Sequence, residues 1–262
     1  MGGIIKHLAT DLPNEVILFF RNSLAFFVIT PLIAFRLGTE GFKTSQFRFH
    51  ALRGGIGVAA MSCFFYILGN MHFTEAILLK LTTPFFIPLV ALLWLGERSS
   101  FITLLAIALG FVGVVFIADP QNKGWQEIDL VLIGLLGACL AAVAKVTIRR
   151  MRSSEPSLRI VFYFSIFASA FSAPFAWNSW QTPSNTQFLW LALLACVATV
   201  GQLLITSAYK RVSAGKIGQF TYTSLIFSST MGWFIWQEPM TLSIILGMSF
   251  IVGAGLLNMK AK

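Results

Sequence analysis

The chain has 262 residues, of which 56% are hydrophobic and only 11% charged, with a mean hydropathy of +0.79. Water-soluble domains carry about a quarter charged residues, so the composition excludes them, along with disordered, collagen-like and disulfide-rich classes. The net charge of +9 then has to be explained by where the basic residues lie.

A helix needs about 20 consecutive apolar residues to cross a bilayer core. Nine such stretches follow one another at 15–36, 52–70, 74–95, 100–118, 128–149, 158–178, 188–209, 214–236 and 241–259. They are continuously apolar and too long for strands, which predicts an all-α polytopic membrane protein with nine transmembrane helices. Gly and Pro punctuate the joins, because Pro cannot continue a helix and Gly tolerates turn geometry. Leu12-Pro13-Asn14 opens the first span, and Asp119-Pro120-Gln121-Asn122 stops the fourth. Ser154-Glu155-Pro156 starts the sixth, and Glu238-Pro239 divides the last two.

The basic residues set orientation. Arg36, Lys43, Arg48, Arg53, Arg98, Arg149, Arg150, Arg152, Arg159, Lys210, Arg211, Lys216, Lys260 and Lys262 fall on one side, against Lys6 and Lys123 on the other. This asymmetry predicts a cytoplasmic C-terminus. The charge is therefore topology and lipid contact, not a nucleic-acid footprint. Cys63, Cys139 and Cys196 lie inside spans, and His7, His50 and His72 show no ligand spacing, so no metal or cofactor is expected. The expected partners are the bilayer and a small-molecule substrate; a homodimer stays open.

An offset of 141 residues superimposes 15–36, 74–95 and 100–118 on 156–177, 215–236 and 241–259. It also carries Glu97, after Trp94-Leu95-Gly96, onto Glu238, after Ile235-Trp236-Gln237. The two repeats are 1–118, with four helices, and 128–259, with five. The fifth span has its counterpart before residue 1, and Gly2–Leu8 reads as the tail of that helix. Units of five spans insert with opposite polarity, so the expected architecture is an inverted repeat of five-helix units lacking the first helix. Inverted repeats typify secondary transporters.

The segment Ala76-Ile77-Leu78-Leu79-Lys80-Leu81-Thr82-Thr83-Pro84, running on through Phe85-Phe86-Ile87-Pro88 to Leu95-Gly96-Glu97-Arg98, resembles the EamA-type branch of the drug/metabolite transporter superfamily. Leu109-Gly110-Phe111-Val112-Gly113 extends the likeness, and Trp236-Gln237-Glu238-Pro239 echoes it in the second half. The resemblance covers all but the start of the chain and implies an inner-membrane metabolite carrier working by alternating access. The absent first helix, which that family uses to wall its cavity, is a departure; an upstream start and a shortened member both fit. Phe19-Phe20-Arg21-Asn22 followed by Leu52-Arg53-Gly54-Gly55 is similar to carriers of the S-adenosylmethionine-uptake kind.

Ionisable groups inside spans are costly and are functional candidates. Arg21 and Lys80 lie deep in the first and third spans, at one depth, where two cations suit a carboxylate- or phosphate-bearing solute. Lys80, Thr83, Pro84 and Ile87 share one helical face by spacing. Snorkelling, or pairing of the cations with Glu15 and Glu75, is the alternative. Polar stripes add Tyr66 and Asn70, Gln202, and the pair Gln219 and Tyr222, as cavity lining or as helix–helix hydrogen bonds. Gly54, Gly55 and Gly57 open no nucleotide fold and are expected to allow close helix packing. All ten acidic residues fall in loops or near span ends, so coupling through a midspan carboxylate has no support. A transporter of an amino acid or related anionic or zwitterionic solute leads. A membrane-embedded enzyme and an inactive accessory subunit are the alternatives; no protease or hydrolase spacing supports the enzyme.

Overall fold

The computed structural model describes residues 1–96, 100–118, 125–151, 153–211 and 214–260, with side chains at 95, 125–127, 209–223 and 258–260 outside the description. The helices are α1 (Gly2–Leu8), α2 (Asn14–Leu37), α3 (Phe47–Asn70), α4 (Phe73–Lys80), α5 (Thr83–Leu95), α6 (Phe101–Ala118), α7 (Trp125–Arg150), α8 (Ser157–Asn178), α9 (Asn185–Arg211), α10 (Ala214–Trp236) and α11 (Leu242–Lys260). A single 3-10 turn, Gly38–Phe42, follows α2. Among the described residues there is no strand, and seven helical segments are long and apolar enough to cross a membrane. The protein is a multi-pass membrane protein.

One predicted span is not a single helix. The stretch 74–95 breaks at Leu81–Thr82 into α4 and α5. Pro84 lacks the N–H that would continue the backbone ladder, and its ring opposes the carbonyl of residue 80. In hydrocarbon the freed carbonyls need donors. The Thr82 hydroxyl supplies one to the Leu79 carbonyl at 2.6 Å, and the Thr83 hydroxyl another to the Lys80 carbonyl at 2.7 Å. The break therefore corrects the expected common face: Lys80 is exposed at the end of α4, whereas Thr83 and Ile87 are buried on α5.

The chain forms two compact units, and neither is a sequence half. Unit 1 is Met1–Phe65 with Ala144–Arg211, and unit 2 is Tyr66–Val143 with Val212–Lys262. Within unit 1, α2 packs on α8, and within unit 2, α4 packs on α10 and α6 on α11, each on its counterpart 141 residues away. In unit 1, Ile29 and Ile33 near the end of α2 bury against Val161 and Phe162 near the start of α8, so these two helices run antiparallel. In unit 2 the start of α4 meets the end of α10, where Phe73 and Trp236 stand 4.9 Å apart. There α6 crosses α11 at two glycines. A Cβ on Gly113 would sit 2.9 Å from the Gly247 carbonyl, and one on Gly247 would sit 3.0 Å from the Gly113 carbonyl. Small residues at a membrane helix crossing let the backbones approach and gain packing that lipid cannot supply.

The connection after α2 is tied down inside unit 1. Arg159, counted among the loop cations, donates from Nε to the Gly41 carbonyl at 2.9 Å and from Nη1 to Glu155 at 2.9 Å. The Tyr163 hydroxyl donates to the Phe42 carbonyl at 2.6 Å, and Thr44 donates to Glu155. Buried His50 stacks on Tyr163 with ring centres 4.6 Å apart.

Placing leucine at Gly113 forces α6 and α11 apart at a contact made by backbone. The Gly113→Leu variant is expected to lose about 1–3 kcal/mol, read as a lower melting temperature of detergent-solubilised protein. An unchanged melting temperature would count against this crossing.

Candidate functional site

In unit 1 the polar groups converge on one ring. Arg21 lies two turns into α2 and is 2% exposed. The carboxylate weighed as its partner, Glu15, is exposed at the start of the same helix. Its guanidinium donates to the Asn22 side-chain oxygen, while Asn22 donates to the Leu18 carbonyl at 2.9 Å and is thereby fixed in rotamer. The Arg21 guanidinium carbon stands 5.7 Å from the centre of the Phe164 ring on α8.

A second arginine shares that ring. Arg53 was expected in the connection before the second span. The helix instead begins at Phe47, because Phe47, Phe49 and Ala51 extend the apolar sequence backwards, and this carries Arg53 two turns inside. It is 3% exposed, its guanidinium lies 4.1 Å over the Phe164 ring, and its hydrogen bond to the Ile160 carbonyl is long at 3.5 Å. Nε of Arg21 and Nε of Arg53 are both buried without a hydrogen-bond partner among the described residues. Gly57 allows the arrangement, since a Cβ there would lie 2.6 Å from the Phe164 ring edge. Gln202, on α9 of the same unit, is half-buried, and Thr206 one turn on is fully buried.

Unit 2 holds the remaining candidates. Tyr66 is 46% exposed, and Asn70, also exposed, turns back to donate to the Tyr66 carbonyl at 2.8 Å. Lys80 and Thr83 flank the helix break. Gln219 and Tyr222 belong to α10, with side chains outside the described residues.

Sequence reading also missed what Glu238 does. Its carboxylate is 4% exposed and accepts the backbone N–H groups of Phe73 and, at 3.1 Å, Thr74, the first residues of α4. A helix N-terminus presents unpaired N–H groups and a partial positive charge, and a carboxylate satisfies both. Gly232 leaves the room: a Cβ there would lie 2.6 Å from both the Glu238 oxygen and the Thr74 hydroxyl. The turn that aims Glu238 uses left-handed backbone at Gln237, with φ 51°, and its counterpart at the repeat offset, Gly96, has φ 69°.

An all-helical, multi-pass architecture carrying buried cations and a broken membrane helix places the chain among membrane transport proteins. Residues 2–118 and 130–259 match the EamA-like transporter family, and the chain belongs to that family. It is 30% identical to the pseudopaline exporter CntI of Pseudomonas aeruginosa, across 100% of this chain and 92% of that protein. It is 27% identical to the S-adenosylmethionine uptake transporter of Rickettsia prowazekii, across 96% and 84% of the two chains. The riboflavin transporter of Brucella anthropi is 24% identical, across 96% and 89%. One crystal structure at 17% identity superimposes with a TM-score of 0.72 over 98% of this chain and 95% of its own, which shows a shared fold. The protein is thus a transporter of the drug/metabolite superfamily that carries small metabolites, and not an enzyme.

Removing the buried carboxylate leaves two N–H groups at the start of α4 unmet. Glu238→Ala is expected to destabilise the protein by about 2 kcal/mol or more. Gly232→Ala should do likewise by displacing that carboxylate. Both effects are read from thermal unfolding in detergent, and a Glu238→Ala variant as stable as the parent would refute the capping role.

Proposed function

We propose that the protein is a secondary transporter that moves a small polar metabolite bearing an anionic group, an amino acid or related zwitterion, across the inner membrane by alternating access. The observation that carries this reading is Arg21: a guanidinium buried inside a spanning helix whose hydrogen bond goes to a neutral amide. Such a charge is expensive in hydrocarbon unless a counter-charge arrives. The relatives add support, since one is named for S-adenosylmethionine, an α-amino acid. Lys80 is the second proposed contact. It stands at the α4–α5 break, and discontinuous helices are where secondary transporters gather their binding groups. Thr83, Tyr66, Asn70, Gln202, Gln219 and Tyr222 are the proposed polar lining.

The proposed architecture is nine spans arranged as an inverted repeat, 1–118 and 128–259. Three features support it: antiparallel packing of α2 on α8, the same packing of α6 on α11, and left-handed residues at Gly96 and Gln237. Under this reading each repeat contributes helices to both compact units. The charge asymmetry supports a cytoplasmic C-terminus.

Uptake into proteoliposomes, compared among amino acids, S-adenosylmethionine and cationic drugs, tests the function. Anionic and zwitterionic solutes should enter and drugs lacking an acid should not. Arg21→Gln and Lys80→Ala should each lower uptake by roughly tenfold, the scale of one charge-assisted contact. Uptake by Lys80→Ala equal to the parent would remove Lys80 from the site, and uptake of cationic drugs alone would refute the substrate class.

A further inference from the structure

We propose that Arg21, Arg53 and Phe164 form a two-guanidinium site that grips one oxyanion, the carboxylate or phosphate of the transported solute. The site rests on the transport reading above and names its binding group. Arg53 brings a second charge to the same ring, and neither arginine has a carboxylate within ion-pair distance among the described residues. Like charges repel, and burial removes the water that would screen them. A purely structural arginine of this depth is normally matched by an acid or by carbonyls at short range. Here the carbonyl that Arg53 reaches is 3.5 Å away, and among the described residues neither Nε–H has a partner.

The geometry suits an oxyanion. Phe164 offers its face to Arg53, a contact that holds the planar group without using its N–H donors. The edge of the guanidinium, Nε–H with one Nη–H, is the fork that matches two carboxylate or phosphate oxygens. Gly57 and Asn22 set the positions of the ring and of Arg21 before any ligand arrives. Arg21, Arg53 and Phe164 all lie inside helices of span length. Arg21 starts two turns from one end of its span and Arg53 two turns from the start of the next, so consecutive helices bring the two cations to the ring from opposite membrane faces.

The test uses the full chain in nanodiscs and two ligand pairs, each differing by one oxyanion. They are S-adenosylmethionine against its decarboxylated form, and riboflavin 5′-phosphate against riboflavin. The parent is expected to favour the oxyanion-bearing member of one pair at least tenfold, and which pair responds tells carboxylate from phosphate. Arg53→Gln and Arg21→Gln should each weaken that member tenfold or more and change its partner less than twofold. Arg53→Lys keeps the charge without the fork and should fall between, which provides a reading if the glutamine variants do not fold. Equal losses for both members of a pair, or no discrimination by the parent, overturn the site. Co-purified phospholipid that disappears from Arg53→Gln assigns the arginines to a lipid phosphate and also overturns it. A parent that takes up amino acids into proteoliposomes yet does not discriminate within either pair refutes this site alone. Absence of both binding and uptake refutes the transport reading with it.

Discussion

Inside a bilayer no water is available to satisfy a peptide group, so every interruption of a helix must be closed by another polar group. The break between α4 and α5 obeys this rule from both directions. At the broken end, the Thr83 hydroxyl takes up the Lys80 carbonyl that Pro84 releases, and the Thr82 hydroxyl joins its own backbone N–H on the Leu79 carbonyl. At the other end of α4, Glu238 reaches in from the turn after α10 to meet the first N–H groups. α4 has only eight residues before the break, so the closures at its two ends satisfy groups that a longer unbroken ladder would pair internally. Gly232 and the left-handed Gln237 are then explained as the room and the turn that bring the carboxylate there.

The sequence conveyed the helical architecture well, because apolar runs of span length have few other interpretations. Helix ends match within a few residues at most joins: α8 and α11 begin one residue away from the predicted spans, or at most nearly so. The shared turn was legible too, since Glu97 and Glu238 sit at one offset and their preceding residues share positive φ. The break in 74–95 was not. Hydropathy is uniform across Leu81–Thr82, and Pro84 and Pro88 announce freed carbonyls without saying where the ladder parts. Arg53 was misplaced for a related reason. A window that begins at the first continuous apolar residue leaves Phe47-Arg48-Phe49-His50 in the loop, although the helix takes in that turn and His50 stacks on Tyr163 from within it.

Site residues divide along the same line. A buried cation within a span announces itself, and Arg21 did. The ring that organises it, on a helix more than a hundred residues later, follows only from the pairing of α2 with α8. Phe164 is one of twenty-six phenylalanines, and nothing in its neighbourhood in sequence marks it. Family membership narrows the chemistry to small metabolites.

The packing of α2 on α8 and of α6 on α11 has a consequence for how the protein is made. When α2 leaves the ribosome, the helix that will cover Ile29 and Ile33 has yet to be synthesised, and α6 waits as long for α11. Folding that depends on such distant contacts is slow and leaves early segments open to wrong partners. α2 and α6 must therefore wait without these partners, the Gly113 face of α6 uncovered, until the later helices arrive. Biogenesis, more than finished stability, is where a second half that is damaged or delayed would first be felt.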